Sequence, residues 1–99
     1  MDKNDIIFKI GTIRREANLS ARALSTRIAL NEGYINRLES KKDFLPSMEV
    51  FFRILEECNY SAEKFFYHDS HNYESDMAIL DKFKALNEEK KKALLEFIK

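Results

Sequence analysis

The chain has no Trp, one Cys, one Pro and two Gly among its 99 residues. Each shortage excludes something. A lone Cys58 allows no internal disulfide framework and suits a reducing compartment, so a cytoplasmic protein is expected. So little Gly and Pro leaves too few turn formers for a β-sandwich or a loop-rich fold. No run approaches the ~18 consecutive apolar residues of a membrane span, and the opening MDKNDIIFKIG carries acids and lacks the apolar region of a cleavable leader. No phosphate-cradling Gly loop, no nucleophile beside a base and no Ser/Lys autoprotease segment is found, so no enzyme is expected. Net charge is missing too, because seventeen Lys/Arg balance seventeen Asp/Glu.

What remains favours helices. Leu, Ile, Ala, Lys and Glu dominate, and 44% of residues are hydrophobic, enough for a core. The length suits one compact domain with an appendage. The charge balance hides an asymmetry: residues 1–42 hold nine Lys/Arg against five Asp/Glu, and 43–99 hold eight against twelve. A basic front suits phosphates and an acidic back suits protein.

Ile6, Ile10, Ile13 and Ala17 recur at helical spacing, which predicts a first helix over 5–17 capped by Asn4 or Asp5. Gly11 within it leaves room for a close neighbour. Ser20 can cap a second helix running through Leu24 and Ile28. Only Ala29-Leu30-Asn31 would separate it from a third helix over 32–40, with Asn31 as cap. So short a link makes the two helices cross sharply, and the small Ser25 fits where they approach. Leu24, Ile28, Leu30, Ile35 and Leu38 form their shared seam. Pro46 and Ser47 open a fourth helix over 48–58, with Val50, Phe51, Ile54 and Leu55 inward and a left-handed Asn59 to end it. Ser61 caps a fifth, Ala62 to Phe66. Phe51, Phe52, Phe65, Phe66 and Cys58 read as core, with Phe52 off the main stripe.

The predicted organisation is all-α: a domain over 1–67, a linker over 68–74 and a helical hairpin over 75–99. Met77, Leu80, Phe83 and Leu86 stripe a sixth helix, and Asn87 caps a seventh that carries Leu94, Leu95 and Ile98. A hairpin of about 25 residues cannot bury two apolar faces alone. Leu80, Phe83, Leu94, Leu95 and Ile98 are therefore candidate contacts for a dimer or another protein. His68, Asp69 and His71 fall short of a closed tetrahedral set, so neither a metal nor a cofactor is expected.

Residues 19–39, LSARALSTRIALNEGYINRLE, and 45–66, LPSMEVFFRILEECNYSAEKFF, resemble the phage-repressor/Cro-like helix-turn-helix family, often called Xre. The resemblance covers roughly 5–67. It rests on Leu-Ser opening helix two, Tyr-Ile-x-Arg-Leu-Glu in helix three and Pro-Ser before helix four. It implies a five-helix lambda-repressor-like domain whose third helix enters the DNA major groove. The base-facing positions carried over are Asn31, Glu32, Gly33, Asn36 and Arg37. Their chemistry suits that role: Arg37 can pair with guanine, Asn36 with adenine, and Glu32 can accept from cytosine. Phosphate contacts are implied at Ser20, Arg22, Tyr34, Lys41 and Lys42, and Arg14 with Glu39 matches a scaffold ion pair of the family. The chain departs from the pattern at Ala21 where Gln is usual, at Ala29 where Gly is usual, and at Lys41 where Gly often closes helix three.

The function implied is a sequence-specific DNA-binding transcriptional regulator, most simply a repressor. It would bind double-stranded DNA as a homodimer on a palindromic operator with half-sites ~34 Å apart. The alternative is a protein-interaction module, an antitoxin-like or anti-regulator partner held through 75–99. Glu32-Gly33 and the neutral total charge lean that way.

Overall fold

The computed structural model describes residues 1–98, which form seven α-helices, one 3₁₀ turn and no strand. The chain divides into two units, Met1–Phe66 and Tyr67–Lys99. None of the described helices is long and apolar enough to cross a membrane.

Helix α1 spans Lys3–Glu16. Its cap is Asp2, not Asn4 or Asp5 as expected from sequence. The Asp2 carboxylate accepts from the Asp5 amide at 2.9 Å, and the Asp5 carboxylate accepts from the Asp2 amide at 3.1 Å. This reciprocal box satisfies two end amides at once, so Asp5 serves inside the helix instead of starting it. Ile7, Ile10 and Ile13 are buried, with Ile6 only partly so.

Helix α2, Ala21–Arg27, is capped by Ser20, whose hydroxyl accepts from the Ala23 amide at 3.0 Å. Helix α3 is Tyr34–Lys41, which shortens the expected 32–40 at its start. The connection thus runs from Ile28 to Gly33 instead of three residues. Two local bonds explain it. The Asn31 side chain accepts from the Gly33 amide at 2.9 Å, and its carbonyl accepts from the Tyr34 amide at 2.9 Å. Asn31 therefore closes a turn ahead of the helix rather than capping it. Ala29 (φ 62) and Lys42 (φ 57) sit in the left-handed region at the ends of α2 and α3.

Helix α4, Met48–Glu57, and α5, Ala62–Phe65, start at the expected Ser47 and Ser61 caps, and Asn59 is left-handed between them. Twelve buried hydrophobics, from Ile7 to Phe65, form one core, and all lie within Met1–Phe66. Phe65 is its floor: its ring meets Phe51 edge-on at 5.0 Å, and Lys9 donates to its carbonyl while lying over the ring. Emptying such a site costs about 3–5 kcal/mol. Phe52 and Phe66 do not join that core as read from sequence, being 51% and 53% exposed. Each directly follows a buried Phe, and adjacent helical residues point about 100° apart.

In Tyr67–Lys99 the expected linker over 68–74 is largely structured. A 3₁₀ turn covers Ser70–Asn72, and helix α6 runs Tyr73–Lys84. Asp69 caps the turn, accepting from the His71 amide and the Asn72 side chain. Tyr67 meets Tyr73 edge-on at 5.2 Å and donates to Asp76 at 2.7 Å. Helix α7, Glu88–Phe97, is capped by Asn87. No residue of α6 or α7 is buried.

Candidate nucleic-acid interface

Helix α3 divides by face. Ile35 and Leu38 are fully buried, and Asn36, Arg37, Ser40 and Lys41 are exposed. The apolar pair docks on Leu24 and Ile28 in the core, so the polar set must point outward. The start of α3 is fastened in an unusual way. Its N-cap is Gly33, which has no side chain to offer. Ser25 supplies the oxygen from α2 instead: its hydroxyl accepts from the Ile35 amide at 3.0 Å and donates to the Ala21 carbonyl at 2.8 Å. Sequence spacing marked Ser25 as small, but the bond across ten residues has no sequence signature.

The far end of α3 is held by an ion pair. Arg14 donates two hydrogen bonds to Glu39, at 2.7 and 2.9 Å, and a third to the Leu19 carbonyl at 2.9 Å. The side chains are 13% and 20% exposed. The hydrogen bond to Glu39 raises the Arg14 pKa above its ordinary value, against the opposing effect of burial. Gly11 leaves room for the pair, because a Cβ there would lie 3.2 Å from the Glu39 carboxylate and 3.1 Å from the Arg15 guanidinium, so both would have to shift slightly. Two independent fasteners therefore fix α3 on α1 and α2.

Seven of the ten candidate DNA-contacting residues fall into three groups. Asn36 and Arg37 are exposed neighbours on α3, and no carboxylate among the described residues pairs with Arg37. Asn31, Glu32 and Gly33 precede the helix in the turn, with the Asn31 oxygen already engaged. Lys41 and Lys42 lie at its C-terminal end, both exposed. Arg22 and Glu32, read from sequence as separate phosphate and base contacts, meet each other at 3.0 Å. The pair is exposed and contributes little stability. Its effect is electrostatic, placing a cation beside the one carboxylate of the turn.

Tyr34 is half-buried, its ring edge-on to Phe44 at 5.8 Å. Burial pushes its phenol up from the ordinary value, against the pull of Arg37. The hydroxyl keeps its proton at neutral pH and can donate. Ser20 accepts from the Ala23 amide as the α2 cap, and its hydroxyl proton, with the backbone amides of the first turn, remains available to donate.

Charge is arranged differently from the simple front and back division. The acid excess of 43–99 lies mostly in 43–66, with five Asp/Glu against two Lys/Arg, whereas 67–99 has seven against six. The α4–α5 segment is therefore the acidic one. Cys58 is a buried free thiol pushed up to about 11, chiefly by burial. It is core packing, not a reactive group. No group of three or more potential metal ligands occurs among the described residues.

No family model matches the chain, and neither a curated protein nor a solved structure matches it significantly.

Proposed function

We propose that this chain is a sequence-specific DNA-binding transcriptional regulator, with Met1–Phe66 a phage-repressor-like helix-turn-helix domain and α3 its reading helix. One observation carries the reading. Asn36 and Arg37 are exposed side by side on a short helix whose opposite face is wholly buried and whose two ends are tied down by Ser25 and by Arg14–Glu39. A reading helix needs that combination, since base recognition depends on side chains held in register.

In this role Arg37 and Asn36 contact base edges, and Lys41, Lys42, Tyr34 and the amides near Ser20 contact phosphates. Glu32 with Arg22 fits a cytosine in the turn's reach, the arginine offsetting carboxylate repulsion from the backbone. Two copies on a palindromic operator would cover a promoter and repress it. Selection from a random duplex library at near-physiological salt tests the reading. A twofold-symmetric motif with half-sites about one helical turn apart is expected; no enrichment by folded protein would overturn it.

The apolar residues left exposed on α6 and α7 favour a second reading, a protein-interaction module. Arg37→Ala separates the two. A DNA reader loses ~1–3 kcal/mol for its operator, and a protein-only module loses nothing for its partner.

A further inference from the structure

We infer that Tyr67–Lys99 pairs with a second copy of itself about a twofold axis at Leu80, with the two α6 helices antiparallel. The inference deepens the dimer of the proposed regulator.

The argument starts from the order of residues in α6. Counting outward from Leu80, Met77 and Phe83 stand three residues away on either side, and Asp76 and Lys84 stand four away. At about 100° per residue these five positions share an arc of about 120°. A twofold axis through Leu80 would bring residues equally far from it, on opposite sides, face to face. Leu80 meets the partner's Leu80, Met77 meets the partner's Phe83, and Asp76 meets the partner's Lys84. An isologous contact requires such self-complementarity, and the same face in parallel would set Asp76 against the partner's Asp76. Antiparallel packing also aligns the helix dipoles favourably.

The structure supplies the surface. Met77, Leu80 and Phe83 of α6, with Leu94 and Ile98, line an apolar groove of about 640 Å³. Leu80, Leu94 and Ile98 are 37%, 38% and 64% exposed, a patch that water leaves unfavourably wetted. Asp76 is held in place by the Tyr67 hydroxyl at 2.7 Å, which fixes one charge of the pair before association. No ion pair engages Lys84 among the described residues.

Sedimentation equilibrium of the full chain, without DNA, tests the register. The wild type is expected to be a dimer, and Leu80→Asp a monomer of unchanged helix content by circular dichroism. Asp76→Lys and Lys84→Asp should each weaken dimerisation at least tenfold, and the double swap should restore it. Restoration cannot come from the Tyr67 contact, because the double variant lacks that too. A monomeric wild type, single swaps without effect or a double swap that stays weak would each overturn the inference. A monomer that binds a separate apolar helix would identify a different occupant. Because no DNA is present, failure here leaves the reading of α3 standing, and a failed duplex selection leaves the dimer standing.

Discussion

Ser25 is fully buried, yet its hydroxyl is satisfied on both sides, by the Ala21 carbonyl and the Ile35 amide. Ser25→Ala preserves the volume class but leaves that amide without a partner in a dry site. Leaving one donor unsatisfied costs about 1–3 kcal/mol, so urea unfolding should show a loss in that range, and a loss near zero would mean water replaces the hydroxyl. Cys58 gives a pH signature. Its thiol rises from an ordinary 9.0 to about 11 in the folded chain, burial being the main cause and Glu57 adding to it. Between these values the unfolded chain releases the proton and the folded chain keeps it. The stability it contributes is thus complete below about pH 9 and is lost as pH rises toward 11. Comparing wild type with Cys58→Val across that window should isolate a decline of about 1–2 kcal/mol, present only in the wild type.

At the scale of elements, the turn between α2 and α3 carries strain that its sequence announces. Ala29 adopts φ 62, where a Cβ is unfavourable by roughly 1–2 kcal/mol. Gly relieves this but gives the unfolded chain more freedom, so Ala29→Gly should stabilise by about 0.5–1 kcal/mol net, read as a higher urea midpoint. Features of this kind were legible because they are local. The Ser20, Ser47, Ser61 and Asn87 caps depend on one hydroxyl or amide and the next few residues. Local signals fail to decide where several oxygens compete. Near the start of α1, Asp2 and Asp5 each accept from a backbone amide, and Asn31 can serve as cap or close a turn. Within the candidate interface, the exposure of Asn36 and Arg37 follows from the period of Ile35 and Leu38. The Ser25 bond and the Arg22–Glu32 pair do not, because each joins residues ten apart across a change of chain direction. Aromatic character alone does not say which of two adjacent rings turns inward, and here it is Phe65, with Phe66 left 53% exposed.

At the scale of the molecule, the buried core falls to one unit, and the proposed dimer contact to the other. Every residue of the buried core lies within Met1–Phe66, whereas no residue of α6 or α7 is buried. A chain cut after Phe66 should therefore stay helical and unfold in one cooperative transition. It should retain its contacts to a single half-site, since Asn36, Arg37, Lys41 and Lys42 are all present. What it should lose is linkage between two such domains. Joining two modest sites adds avidity of about 10²–10⁴-fold, so affinity for a full palindrome should fall by that order while affinity for an isolated half-site is unchanged. Salt dependence separates this from damage to the interface. The slope of log affinity against log salt scales with the phosphates contacted, at about −0.9 per contact, so domains that bind one at a time instead of as a linked pair should show half of it. A truncated chain that remains a dimer, or that binds the palindrome with undiminished affinity and slope, would move the dimer contact into Met1–Phe66. The exposed Phe52 and Phe66 would then be the first residues to substitute.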